Sequence, residues 1–77
     1  EMCIRDRVLS RILKHCFEDI RVNRVEAIHY RLNPASGKVM AKCGMKQEGI
    51  GIQELKIKGL YHDVVHYAIT QEMWQRR

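Results

Sequence analysis

Three stretches of this chain hold residue types that could do chemistry: Ser36-Gly37-Lys38, the carboxylate Glu54 inside an apolar run, and His62, Asp63 and His66. Ser36-Gly37-Lys38 looks like the end of a loop that wraps phosphates in bare backbone N–H groups. Such a loop needs a glycine five residues before the Gly-Lys pair and a Ser or Thr after the lysine. Leu32 and Val39 stand at those positions, so nucleotide binding of that type is excluded. His62 and His66 share a strand face, but four residues along a strand span about 13 Å, too far for one zinc ion. Asp63 reads as a structural carboxylate that holds the turn or a nearby backbone N–H. Cys43 lies on an apolar helix face and is most simply a core residue.

What must position Ser36 is a short helix. Asn33 is a good N-cap, because its side-chain oxygen can accept an orphan backbone N–H. Pro34 follows at the first helical position, where a missing N–H costs nothing. Lys42 suits the negative end of the helix dipole, and Gly44 can adopt the left-handed conformation that stops a helix. The sequence thus predicts a helix over 33–43 with Val39, Met40 and Cys43 inward. Its first turn, where Ser36 sits, is a polar, weakly anion-attracting end.

The flanking elements follow from apolar spacing. Leu9, Ile12, Leu13, Cys16, Phe17 and Ile20 recur at helical intervals and predict a helix over 8–22 that Asn23 ends. "RVEAIHY" (24–30) alternates and is short, as a strand should be. "QEGIGIQELKIK" (47–58) is β-like, but its apolar residues slip from even to odd positions after Ile52. A bulge near Gln53-Glu54 would explain the slip. Lys58-Gly59 supplies a turn, "YHDVVHYAI" (61–69) returns, and "TQEMWQRR" is a short ordered tail anchored by Trp74. The order is helix, strand, helix, hairpin: a mixed α+β chain with a three-stranded, mainly antiparallel sheet. A helix that precedes the first strand with no earlier strand to pair looks like the back half of something larger.

With 77 residues the chain has at most one domain and a small core. No apolar run reaches membrane-spanning length, and Arg5, Asp6 and Arg7 interrupt any signal-peptide core. Cys3, Cys16 and Cys43 are odd in number and irregularly spaced, which points to reduced thiols in a cytoplasmic chain. The net charge of +5 could suit an anionic partner. The alternative it raises is a small basic nucleic-acid-binding module. Against that, the basic residues are scattered among acids, with no basic stripe interleaved with aromatics.

A family resemblance rests on the joint order of several pieces: Asn23-Arg24-Val25-Glu26-Ala27, Asn33-Pro34-Ala35-Ser36, Lys42-Cys43-Gly44-Met45, Glu48-Gly49 and Tyr61-His62-Asp63. Together they resemble the C-terminal half of the GCN5-related N-acetyltransferase (GNAT) superfamily, and most the branch containing the ribosomal-protein N-terminal acetyltransferases. The resemblance runs from residue 8 to residue 74. It implies a partial GNAT fold, with strand 61–69 between strands 24–30 and 47–57 and antiparallel to both. It implies acetyl-CoA as co-substrate, held between two splayed parallel strands of which 24–30 is the second. It also implies an amine acceptor, a protein N-terminus or a small amine, that attacks the thioester without a covalent enzyme intermediate.

The first strand and its glycine-rich pyrophosphate loop are expected just before residue 8, where "EMCIRDR" stands instead. Those seven residues are similar to the forward translation of a transposon end used in sequencing libraries. Residues 1–7 are therefore expected to be an adapter-derived scar, and 8–77 the C-terminal half of the acetyltransferase domain. An Arg/Gln-x-x-Gly-x-Gly/Ala loop is expected in frame upstream. Alone, the chain is expected to be inactive, because the cofactor cleft needs both splayed strands and a glycine-rich loop, and association-prone, because strand 24–30 leaves an unpaired edge through which copies can meet.

The resemblance also assigns roles. Asn33 implies a hydrogen bond to the pantetheine arm of acetyl-CoA. Ser36, in Asn-x-x-Ser, implies the general acid that protonates the departing thiolate, and a contact with the cofactor. Other branches use a tyrosine four residues further on; here that residue is Met40, which cannot transfer a proton. The general base stays unassigned. The long-strand carboxylate of some relatives corresponds to Leu55, and its neighbour Glu54 can serve only if a bulge re-aims it.

Overall fold

In the computed structural model, residues 4–77 are described. The first helix, α1, spans Ile4–Lys14 and continues into a π-helical turn, His15–Ile20. Arg21 ends it in the left-handed region, at φ 64°, two residues before the expected Asn23. The helix also begins earlier than the apolar spacing predicts. Residues 4–7, set aside on the sequence, form its first turn, and Asp6 is buried 3.4 Å from Lys42 Nζ. Residues 1–3, Cys3 among them, lie outside the described residues.

Leu13 and Phe17 are buried and Leu9 packs beside them, but Ile12 and Ile20 are half exposed, contrary to the face read from the sequence. A π turn holds more residues per turn than an α turn, so residues past Lys14 rotate out of the phase that a 3.6-residue period assigns. The inward stripe is narrower as a result.

Strand β1 (Arg24–Tyr30) follows, then α2 (Pro34–Lys42), β2 (Lys46–Ile57), β3 (Leu60–Thr70) and α3 (Gln71–Arg76). The sheet order is β1-β3-β2, and both pairings are antiparallel. The expected α+β class, strand order and hairpin are all found. Gly44 ends α2 at φ 94°, and Met45 N–H donates to Met40 C=O at 3.0 Å, closing the helix as its glycine predicts.

The C-terminal tail, expected to be ordered and anchored by Trp74, is a short helix with Trp74 buried. Thr70 caps it, its hydroxyl accepting Met73 N–H at 3.2 Å. Gln71 then ties the end of the sheet to the start: its N–H donates to Asn23 C=O at 2.7 Å and its side-chain amide to Phe17 C=O at 2.9 Å. Trp74 stacks on Phe17 with ring centroids 5.5 Å apart, completing a core of Leu13, Phe17, Met45, Ile69 and Trp74. Val25, Ala27, Met40, Cys43 and Tyr67 pack around it. The core therefore lies on the face of the sheet that β1 residues 25 and 27 present. Residues 28 and 30 of β1 and 62, 64 and 66 of β3 share the other face. No described helix is long and apolar enough to cross a membrane.

Candidate active site

Strand β1 stands at the end of the strand order, so one of its edges has no strand beside it among the described residues. At its last residue the chain turns sharply. Asn33 N–H donates to Tyr30 C=O at 2.9 Å, Arg31 N–H to Asp63 C=O at 3.0 Å, and α2 begins at Pro34. This turn sets the first turn of α2 beside the end of β1. Ser36 N–H donates to Asn33 C=O at 3.3 Å. The Ser36 hydroxyl has no hydrogen-bond partner among the described residues.

Ser36 lines a cleft of about 290 Å³ with Ile28, His29 and Tyr30 of β1, Val64 of β3 and Leu55 of β2. The cleft walls are mostly apolar. A hydroxyl at a helix start in such a setting can donate to a developing anion with the helix dipole behind it. Met40, one turn on, packs against the core and offers no proton.

Asn33 occupies the N-cap position, but its side chain makes no capping hydrogen bond, which corrects the reading of that residue as a side-chain cap. With φ −119° and ψ 74°, the backbone departs from the extended geometry that turns a cap side chain back over the helix. The amide is instead exposed and available to a ligand.

The height of Ser36 above the sheet is set by Gly37. A Cβ on Gly37 would stand 2.8 Å from both His29 Nε2 and the Tyr67 hydroxyl, so α2 sits down on the sheet through a bare backbone. His29 Nδ1 lies 2.6 Å from Tyr30 C=O, and a carbonyl only accepts, so Nδ1 carries the proton. His29 Nε2 is buried against Gly37 without a partner among the described residues. The first turn of α2 thus rests on a fixed imidazole and a phenol ring.

Glu54 is where the sequence left a condition, and the structure meets it. The register of β2 on β3 shifts between Gly51 and Leu55, and Gln53 takes φ 47°. Gly51 pairs with Val64 and Leu55 with His62, so Gly51 and Leu55 share the face of the cleft. The bulge turns Glu54 onto that face too. Its carboxylate lies over Gly51, where a Cβ would collide with it, and its Oε1 is 2.7 Å from His66 Nε2. His66 is thus a partner of Glu54, and His62 stacks against Tyr30 at 5.0 Å between ring centroids.

Asp63 takes the structural role expected of it. Its Oδ1 accepts Gln53 N–H at 2.8 Å and its Oδ2 lies 3.2 Å from Arg31. The backbone hydrogen bond, and then Arg31, hold its carboxyl below the usual aspartate range. Arg24 makes a bidentate pair with Glu48 across the sheet, which holds Glu48 low as well. A second register shift, between Gln47 and Gly49, gives Glu48 room to reach across, and no residue pattern foretold it. The sequence reading also missed the cleft walls Ile28, Tyr30 and Val64. Their shared even positions on paired strands are a signal, but only once the register is known.

A larger cleft of about 420 Å³ lies at the opposite end of β1, among Phe17, Glu18, Trp74 and Arg77. The Arg77 guanidinium lies 3.4 Å from the Trp74 ring centroid, and the Trp74 indole N–H donates to Glu18 at 3.1 Å. These contacts anchor α3 and have no part in the Ser36 site.

Comparison with known proteins gives this geometry a setting. The family model described as an acetyltransferase (GNAT) domain matches residues 6–46. The candidate ribosomal N-acetyltransferase YdaF of Bacillus subtilis is 28% identical over 65 residues, covering 84% of this chain and 36% of that protein. A solved chimera of spermidine N-acetyltransferase SpeG, from Vibrio cholerae and hSSAT, superposes with TM-score 0.88 at 25% identity, over 94% of this chain and 43% of that one. A GNAT-family acetyltransferase from Bacillus anthracis superposes with TM-score 0.85 at 28% identity, over 90% of this chain and 42% of that one. The chain thus spans less than half the length of each of these proteins. Matched by that family model over more than half its length and folded like those acetyltransferases, the chain belongs to the GNAT acetyltransferase family.

Proposed function

We propose that these residues form the C-terminal half of an N-acetyltransferase that moves an acetyl group from acetyl-CoA to a primary amine, with residues 1–7 an adapter-derived addition. The carrying observation is Ser36. Its hydroxyl has no partner among the described residues, stands in the first turn of α2, and lines an apolar cleft with Ile28, His29 and Tyr30 of β1, the strand at the end of the sheet order. A thioester laid along the edge of β1 would meet backbone N–H and C=O groups of that strand, the exposed Asn33 amide and the Ser36 hydroxyl. Asn33 binds the pantetheine amide and Ser36 protonates the thiolate as it leaves. The apolar walls exclude water that would hydrolyse the thioester.

The acceptor is a small amine or a protein N-terminus. Relatives named for spermidine acetylation and for ribosomal-protein acetylation keep both classes in play. The exposed face of the sheet, with Glu54 on β2, favours a cationic acceptor of either kind. The complete enzyme acts in the cytoplasm on this reading.

A thiol-release assay tests the function, run on the complete protein with acetyl-CoA and a panel of small polyamines and N-terminal peptides. Amine-dependent release of CoA is expected for the complete protein and none for the 77-residue chain. Among the described residues β1 alone offers an open edge of the kind that grips the cofactor, and the residues before β1 hold no glycine to cradle its pyrophosphate. Turnover by the 77 residues alone would overturn the half-domain reading. Absence of amine-dependent release from the complete protein would overturn the transferase reading.

A further inference from the structure

We propose that His66 and Glu54 act as one proton-accepting unit that deprotonates the acceptor ammonium, with His66 Nδ1 as the acceptor and Glu54 as its orienting partner. The inference rests on the acetyl-transfer reading above and supplies the base that reading leaves open.

Chemistry requires such a group. An alkylammonium has no lone pair and cannot attack a thioester until a base removes a proton. The base must lie across the reacting carbon from the acid. The sheet order β1-β3-β2 provides that arrangement. Ser36 stands beside the end of β1, Val64 of β3 floors the cleft, and Glu54 lies over Gly51, the β2 partner of Val64. Neighbouring strands are about 4.8 Å apart, so a group over β2 lies about 10 Å from β1 across the sheet face, a span that an acceptor amine bridges to a thioester at the β1 edge. His66 is the cross-strand partner of Ile28, another cleft wall.

The pairing defines the state of the imidazole. At 2.7 Å from Glu54 Oε1, His66 Nε2 is the donor when the ring is neutral, which leaves Nδ1 with its lone pair. Nδ1 has no hydrogen bond to any described residue. A carboxylate on one ring nitrogen fixes the tautomer and stabilises the imidazolium that forms when the other takes a proton. The bulge makes this contact possible: Asp63 pins Gln53 N–H, Gly51 leaves the space, and Glu54 fills it.

The step balances. His66 Nδ1 takes one proton from the ammonium. The nitrogen lone pair forms the C–N bond to the acetyl carbon and the C–S bond breaks, its electron pair leaving on sulfur. Sulfur takes a proton from the Ser36 hydroxyl, and the second proton of the attacking nitrogen restores that hydroxyl. The imidazolium returns its proton to solvent, reached because His66 is about one-third exposed. One proton is released per amide formed.

The charged and titratable groups on the face of His66 are Glu54 and Lys46 on β2, Glu26 on β1, the Arg24–Glu48 pair that joins β1 to β2, and His62 on its own strand. The test is the pH profile of kcat/KM for the amine in the complete enzyme, with His66→Gln, Glu54→Gln and Gly51→Ala. Gly51→Ala removes no titrating group and only displaces the Glu54 carboxylate. His66→Gln is expected to lower kcat by about 10²–10⁴-fold, with the KM for acetyl-CoA nearly unchanged and the acid limb of the profile lost. Glu54→Gln and Gly51→Ala are expected to lower kcat less and to move that limb. Added imidazole is expected to restore part of the turnover of His66→Ala. If His66→Gln does not fold, Glu54→Gln, an exposed side chain, carries the same comparison. A wild-type enzyme that releases CoA, beside a His66→Gln or Glu54→Gln enzyme with unchanged kcat and profile, overturns this inference alone. A wild-type enzyme with no amine-dependent turnover overturns the transferase reading and this inference with it.

Discussion

The Asp63 carboxylate accepts the backbone N–H of Gln53 at 2.8 Å, and through that bond a residue of β3 holds the bulge of β2 in place. Gln53 sits at φ 47°, a region that L-residues seldom occupy, so a partner is needed to keep it there. The hydrogen bond favours the ionised form and holds the Asp63 carboxyl below its ordinary value. A carboxyl lowered in the folded state contributes stability above its unfolded pKa, and loses that contribution as pH falls through its folded pKa. Asp63→Ala is therefore expected to lower the Tm at neutral pH. The gap to the wild type should close on acidification through the carboxylate range. Thermal melts of both proteins across that range test this, and a gap that stays constant with pH would contradict it.

Gly37 is expected to be the least replaceable residue of α2. A Cβ there would press on His29 Nε2 and the Tyr67 hydroxyl at 2.8 Å each. Overpacking of this kind costs about 1–3 kcal/mol. Because Ser36 is the adjacent residue, the shift in α2 is expected to lower turnover as well. Tyr67→Phe removes one of the two opposing atoms, so Gly37→Ala with Tyr67→Phe should recover part of the stability. Equilibrium urea unfolding of the two variants measures it. An unaffected Gly37→Ala protein would show that α2 does not rest on this contact.

The first helix offers a test of its phase. Leu13 is fully buried in the core, whereas its neighbour Ile12 is half exposed. Leu13→Ala is expected to cost about 2–5 kcal/mol, a large share of the stability of so small a fold. Ile12→Ala should stay within about 0.5 kcal/mol. Denaturation midpoints decide it, and equal losses would place Ile12 in the core, as the apolar spacing alone suggests.

Much of this fold was legible in the residues. Pro34 and Gly44 bracket α2, Lys58-Gly59 turns the hairpin, and the slip between Ile52 and Leu55 marks the bulge. Each is a local signal with a local cause. What was not legible depends on contacts distant in sequence. The π turn at 15–20 has no residue signature and moved Ile20 outward. The helix at 71–76 is too short for apolar periodicity to reveal it, and only Thr70 hinted at it. Glu54 came onto the face of the cleft through a bulge pinned by Asp63, ten residues from Gln53 along the chain. Ser36 and Asn33 were found by resemblance and Gly37 by neither route. Its importance lies in His29 and Tyr67, which no spacing connects to it.

The measurement that bears most directly on the central claim is the steady-state kinetics of Ser36→Ala in the complete enzyme. A general acid acts in the transition state and little in the ground state, so its loss should appear in kcat. The expected fall is about 10²–10⁴-fold, with the KM for acetyl-CoA changed little. Asn33→Ala, made in parallel, should do the reverse and mainly raise that KM. An unchanged kcat for Ser36→Ala would remove Ser36 as the acid and contradict this account of the site.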